Sequence, residues 1–158
     1  MLIRKANLHD LPRILEIYAY ARQFMRNTGN PTQWREGTPA ESTLRRDMAA
    51  GQLYVQEDDG VHAVFALILG ADPTYAKIDG AWRSDAPYAT LHRVASDGTR
   101  HGVLNQAVEF AKTQCGHLRI DTHKDNQIMQ RAIAKNGFRY CGVILTDDGT
   151  PRLAYEWL

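Results

Sequence analysis

The sequence predicts an α/β protein of the α+β kind: a mixed, mainly antiparallel central sheet flanked by helices, in the order β-α-α-β-β-β-α-β-α-β-β. Three observations predict it. Helical apolar stripes and short strand-like runs interleave along the whole chain. Leu53–Glu57 and Val61–Leu69, joined by Asp58, Asp59 and Gly60, read as a hairpin. A strand ending at Ser96 runs straight into a glycine-containing turn and a helix.

Each element has a local reason. Leu2 to Ala6 reads as a first strand. The next segment places Leu11, Ile14, Leu15, Tyr18, Ala21 and Met25 on one helical stripe. Asp10 is its expected N-cap, with Pro12 in the first turn. Asn27 to Gly37 is polar and broken by Gly29, Pro31 and Gly37, so it reads as a loop. Thr38 and Glu41 form a capping-box pattern with Pro39 at the first helical position, and Gly51 supplies the stop. After the hairpin, Asp72 to Pro87 is a long irregular connection carrying Tyr75 and Trp82, with Tyr88 just beyond it. Long loops of this kind are more often functional than idle. Thr90 to Ser96 is the fourth predicted strand, Gly102 to Gln114 the third helix, and His117 to Asp121 the fifth strand. Asn126 to Asn136 is the fourth helix, stopped by Gly137. Phe138 to Leu145 and Arg152 to Leu158 close the chain around a turn at Asp147, Asp148 and Gly149.

The 158 residues suit a single domain, 1–158, with one core. Nineteen basic and eighteen acidic residues leave a net charge of +1, so neither nucleic acid nor an anionic membrane is an expected partner. No apolar run approaches a membrane span, and the first residues do not resemble a signal peptide. Cys115 and Cys141 read as two half-buried thiols in a reducing cytosol, so the expected location is cytoplasmic. No metal-ligand spacing occurs, and no metal is expected.

The chemistry concentrates between Leu91 and Phe138. At Ser96 to Leu104 a strand feeds a turn that opens a helix. Free amide N–H groups and the positive end of a helix dipole then converge on one place, where a phosphate-bearing ligand can sit. Gly98 and Gly102 let the backbone approach such a ligand closely, and Arg100 and His101 add charge. An ordinary strand-to-helix loop has the same parts. The strand, amide turn, helix, strand and Asn-initiated helix together resemble the GNAT superfamily of N-acetyltransferases, over most of the chain.

That resemblance implies acetyl-coenzyme A as co-substrate. Its pyrophosphate would lie on the turn, with Gly98, Arg100, His101, Gly102, Val103 and Leu104 as binding residues. Of the family's Arg/Gln-x-x-Gly-x-Gly/Ala pattern, Gly102 is kept. Thr99 and Leu104 stand at the other two places, and the loop is about two residues short. In the family's later motif, Asn126, Lys135, Gly137 and Phe138 match. Asn126 and Lys135 are therefore expected on the cofactor side. Met129 replaces a small residue, and Ile133 replaces the Tyr that often protonates the departing thiolate. Both substitutes read as core packing.

By the same resemblance the fourth and fifth strands splay. Val94 N–H would polarise the thioester carbonyl, and Ala95 and Ser96 would bond the pantetheine arm. His92, two residues before Val94 and so on its face by simple alternation, is a candidate general base, and a hydrogen-bonded core histidine fits the residues equally. His123, in the stretch Asp121 to Asn126, is the rival base, or else half of an Asp–His pair that fixes the loop. The acceptor side would draw on Asn30, Gln33, Trp34 and Trp82, with Tyr75 and Tyr88 nearby. No dense acidic patch suggests a polyamine. The resulting expectation is direct N-acetylation of a small-molecule or peptide amine, with a homodimer as one expected assembly. A coenzyme A-binding GNAT-fold protein with weak or no catalysis is the alternative.

Overall fold

The computed structural model describes residues 1–158. Eight strands form one sheet in the order β1-β2-β3-β5-β6-β8-β7-β4. They are β1 (Leu2–Lys5), β2 (Leu53–Glu57), β3 (Val61–Leu69), β4 (Asp79–Gly80), β5 (Ala89–Ser96), β6 (Leu118–Thr122), β7 (Arg139–Leu145) and β8 (Pro151–Trp157). Only β5 and β6 run parallel; every other neighbouring pair is antiparallel. The helices are α1 (Leu11–Asn27), α2 (Glu41–Ala49), α3 (Val103–Gln114) and α4 (Gln127–Lys135). No helix is long and apolar enough to cross a membrane.

The helices cover both faces of the sheet. One core joins α1 and α2 to Leu53, Val55, Val64, Ala66 and Ala95. The other joins α3 and α4 to Phe65, Leu67, Leu91, Leu118 and Ile120. Ile14 and Ile17 of α1 are fully buried, each worth about 1.5–3 kcal/mol of burial. The alternation of β3, with Val64 and Ala66 on one core and Phe65 and Leu67 on the other, accounts for its unbroken apolar run.

Three local expectations are corrected. Asp10 does not cap α1 with its side chain; a short 3-10 turn, Leu8–Asp10, precedes that helix, and Asn7 caps the turn. Asp10 instead accepts the Arg4 guanidinium at 2.8 and 2.9 Å. The Thr38 capping box does not form, because α2 begins at Glu41 and the Thr38 hydroxyl donates to Arg35 O. The connection after β3 is not featureless. It holds a 3-10 turn, Pro73–Tyr75, and the two-residue β4, which adds an eighth strand. β4 pairs with β7 only because Gly80 and Gly142, at φ +135° and +151°, have no Cβ; one on either would collide with the partner's backbone.

A buried ion cluster holds the rest of this connection down. Glu156, fully buried, accepts from His117 at 2.7 Å, from Arg119 at 3.3 Å and from the Arg83 amide at 2.8 Å. The Arg119 guanidinium lies between the rings of Trp82 and Tyr88, 3.9 and 4.0 Å from their centroids. A buried carboxylate is tolerable only with such partners, and the same partners fix residues 82–88 against the sheet.

Candidate active site

The parallel pairing of β5 with β6 covers only Ala89, Thr90 and Leu91. Beyond Leu91 the two strands part, and the edge of β5 facing β6 has no ladder partner. A bulge marks this point. Ala66 and Val64, two residues apart on β3, face His92 and Ala95, three apart on β5. The extra residue is accommodated at Arg93, whose φ is +54°, an uncommon conformation for a side-chain-bearing residue. It is held from both ends. Tyr18 Oη donates to Arg93 O at 2.7 Å, and the guanidinium bonds Asp47 at 3.0 and 2.7 Å. The bulge corrects the alternation reading: His92 shares its face with Ala95, while Val94 packs with the opposite core.

Two cavities meet in the gap. The first, of about 250 Å³, is mainly apolar. Val94, Ala95, Ser96, Gly98, Val103, Leu104 and Asn126 line it, together with Tyr20 and Phe24 of α1. The second, of about 360 Å³, is polar and includes Gln33, Trp34, Asp72, His92, Asp121 and Arg152. Met25, Val94 and Met129 line both, so the cavities join at these three side chains.

The turn leading to α3 is partly self-bonded. Ser96 Oγ accepts from Gly98 N, and Asp97 Oδ1 accepts from Thr99 N and Thr99 Oγ1. The first intrahelical bond of α3 is Gln106 N to Gly102 O. The N–H groups of Val103, Leu104 and Asn105 therefore have no partner within the helix and point out of its N-terminus. Gly98, at φ +80°, packs under Tyr20, whereas a Cβ on Gly102, at φ +72°, would meet no atom. Open space at Gly102 is what an approaching phosphate needs. Arg100 and His101 line neither cavity. Arg100 is turned to the β2–β3 turn, donating to Asp58 O at 3.0 Å, so its charge is largely spent there.

His92 Nε2 lies 2.8 Å from Asp72 Oδ2. Asp72 Oδ1 accepts from Thr74 N at 2.9 Å and Thr74 Oγ1 at 2.7 Å. The His92 bond, aided by Thr74 and opposed by burial, lowers the Asp72 carboxyl from 3.8 to about 2. Asp72 is thus a carboxylate and can only accept. Nε2 must carry the proton, and in the neutral ring the lone pair is on Nδ1, which makes no hydrogen bond. Tyr88 Oη accepts from the Asp72 amide at 2.8 Å. A continuous set of contacts, Glu156 to Arg119 to Tyr88 to Asp72, therefore positions His92. Asp72 was not singled out in the sequence, and nothing in its local pattern distinguishes it.

Four other expected residues, His123, Trp82, Lys135 and Asn30, line neither cavity. His123 Nδ1 accepts from Asp125 N at 3.0 Å, its Nε2 lies 3.4 Å from Thr32 Oγ1, and burial lowers its pKa, so it fixes the β6–α4 loop. The expected Asp–His pair forms with Asp125, whose Oδ2 lies 3.6 Å from Nδ1, whereas Asp121 accepts from Tyr75 Oη at 2.6 Å. Trp82 donates to Tyr75 O at 2.9 Å and stacks on Arg119, which makes it an anchor of the connection. Lys135 is exposed near the far end of α4. Asn30 is buried and acts through Gln33, whose Oε1 accepts from Asn30 and Asn126 at 2.8 and 3.0 Å. Trp34 lies edge-on to Tyr18, with centroids 5.4 Å apart, and faces the polar cavity.

No protein-family profile matches the sequence, and no curated protein matches it. Solved structures do. A GNAT-family acetyltransferase from Streptococcus agalactiae 2603 is 31% identical, with a TM-score of 0.87 over 99% of this chain and 94% of that one. The chain belongs to the GNAT family of acetyltransferases. A GNAT-family acetyltransferase from Listeria monocytogenes 4b F2365 (16% identity, TM-score 0.72, covering 98% of this chain and 92% of that one) shares the fold. So does the ribosomal-protein-alanine N-acetyltransferase of Brucella melitensis (19%, TM-score 0.62, covering 100% and 99%).

For a GNAT enzyme, the two departures in α4 now have structural meanings. Ile133 is fully buried among Leu104, Val108 and Phe138, so it packs the core as expected and offers no acid. Met129 was also expected to be core. It packs against that core half-buried, and it also stands at the junction of the two cavities. The residues present can serve acetyl transfer: an unpaired strand edge, an apolar channel, free helix N–H groups and a histidine with an open nitrogen.

Proposed function

We propose that the protein is an acetyl-coenzyme A-dependent N-acetyltransferase that moves the acetyl group directly to a primary amine. The observation that carries this reading is His92 in the wall of the polar cavity, with Nε2 fixed by Asp72 and no hydrogen bond at Nδ1, where that cavity joins the apolar one through Met25, Val94 and Met129. The pantetheine arm would follow the unpaired edge of β5, and the pyrophosphate would take the N–H groups at the start of α3. The amine enters as an ammonium ion. His92 Nδ1 takes one proton, the nitrogen lone pair attacks the thioester carbon, and the C–N bond forms as the C–S bond breaks. A backbone N–H at Val94 would carry the charge developing on the carbonyl oxygen. The electron pair leaves on sulfur as a thiolate, and the second proton of the attacking nitrogen passes through water to that sulfur or to solvent, leaving the neutral amide. A thiol of pKa about 8.5 leaves readily near neutrality, so Ile133 in place of a tyrosine does not abolish turnover. Met25 and Met129 narrow the junction, which supports a two-carbon acyl group over longer ones.

The test is thiol release from acetyl-coenzyme A across a panel of primary amines, beside calorimetric titration with coenzyme A. Binding with amine-dependent release supports the proposal. Binding without release for every amine would replace it with the non-catalytic coenzyme A-binding reading.

A further inference from the structure

Arg152 is an interior arginine without a full set of partners. Arg93 is committed to Asp47 by two bonds, and Arg119 to Glu156, to Ser84 O and to two aromatic rings. Arg152 makes one hydrogen bond, from Nη2 to Gln33 O at 3.3 Å. Its contact with Asp121 is 3.7 Å, beyond hydrogen-bond reach. Its Nε is buried with no partner, yet its side chain is 15% exposed and lines the polar cavity. The guanidinium has five donors in a planar fork, so it is a preformed and nearly empty receptor for a carboxylate. A second unpartnered donor belongs to the same cleft but to the other face of the sheet: Thr122 Oγ1, on the fully buried Thr122 of the neighbouring strand β6, which pairs with Leu153 and lines the same cavity. Buried donors left without partners cost free energy, and two of the few in this protein belong to residues of one cleft.

Resting on the proposed N-acetyltransferase activity, we infer that the acceptor is a small amine that also carries a carboxylate, and that Arg152 receives that carboxylate. The cavity is polarised to match. His92 and Asp72 lie on the β5 side, where the amine reacts, and Arg152 comes from β8 across the gap. The charge balance favours a monoanion. Asp72, Asp121 and Asp147 line the cavity against Arg152 and an Arg93 already neutralised by Asp47. A doubly charged phosphate would meet three carboxylates with one cation, itself ion-paired to Asp121 at 3.7 Å, whereas an ammonium carboxylate adds no net charge. A volume of about 360 Å³ also suits a small molecule. No local sequence pattern groups these three carboxylates, because they come from three separate segments.

The experiment compares three forms of one acceptor in the thiol-release assay: an apolar amino acid such as methionine or phenylalanine, its methyl ester, and its decarboxylated amine. The ester amine is the least basic, so ionisation alone would favour it, and a preference for the free acid must come from the carboxylate. The expected result is a KM for the acid lower than for either analogue by about 10- to 100-fold, the range for one charge-assisted hydrogen-bonded pair. Arg152→Gln should abolish that preference by raising the acid's KM to about that of the decarboxylated amine, with the Kd for coenzyme A unchanged. Arg152→Lys should restore part of it. Equal or better use of ester and amine by the wild-type protein overturns the inference and leaves the N-acetyltransferase reading intact. No release with any of the three, or with simple amines, overturns both.

Discussion

Replacing Asp72 by asparagine should disable His92 without removing it. The native carboxylate accepts on both oxygens, from Thr74 N and Oγ1 on one and from His92 Nε2 on the other. An amide has one accepting oxygen and one donating NH2. The Thr74 amide N–H can only donate, so the oxygen of the new side-chain amide must face it and the NH2 must face His92. Nε2 then has to accept, the proton moves to Nδ1, and the nitrogen facing the amine loses its lone pair. The wrong tautomer costs as much as the missing base, so Asp72→Asn should lower kcat by about 10²-fold, near the low end for general-base catalysis. His92→Ala should do the same, and the double variant should be no slower than either single one. The structural loss is smaller. The Asp72 carboxyl lies at about 2 instead of 3.8, equivalent to about 2 kcal/mol of folding stability at most. Because the folded value is depressed, that stabilisation is present above pH 3.8 and is lost as pH falls through about 2. Thiol release at saturating amine, with melting temperatures measured alongside, separates the effects. A folded Asp72→Asn protein within threefold of wild-type kcat would refute the tautomer argument.

Other expectations follow from the same structure. Tyr88→Phe removes the acceptor of the Asp72 amide; kcat should fall several-fold, toward the factor of about ten that 1.4 kcal/mol represents, with an unchanged Kd for coenzyme A by calorimetry. Met129→Ala should widen the junction of the cavities; the ratio of butyryl- to acetyl-coenzyme A turnover should rise by about tenfold or more, and an unchanged ratio would show that Met129 does not bound the acyl group. Gly102→Ala has room for its Cβ but must keep φ at +72°; coenzyme A affinity should drop by about tenfold, since a side chain there strains the backbone by about 1–2 kcal/mol and crowds the phosphate. His62 and His123 are held below the usual 6.5 by burial; the unfolded chain then binds protons more tightly, so the melting temperature should fall as pH drops from about 6.5, and His123→Gln should flatten that decline.

Much of the fold was readable because its signals are local. The β2–β3 hairpin, the α3 and α4 stripes and the glycine stops need only neighbouring residues, and they place the strand-to-helix turn correctly. The site was less readable because its decisive features are not local. The bulge at Arg93 needs Tyr18 and Asp47, from two helices far along the chain, to hold a positive φ. No alternation rule reveals it, so His92 and Val94 were read onto one face. Asp72 acquires its role only when the connection folds back on β5, and that fold depends on Glu156 at the other end of the chain. Trp82 illustrates the converse: an aromatic in a polar loop looked like a pocket wall, and it is a stacking partner for a buried guanidinium. Met129 packs against the core as its helical position suggests, but only the fold shows that it also stands between two cavities.

The most direct test follows both products of one reaction. With acetyl-coenzyme A and an acceptor amine, free thiol and acetylated amine should form in equal amounts, by chromophoric thiol titration and mass spectrometry. Both should fall together by about 10²-fold in His92→Ala, while coenzyme A affinity stays unchanged. Thiol release that needs no amine, or amine acetylation that survives His92→Ala undiminished, would contradict direct transfer assisted by His92.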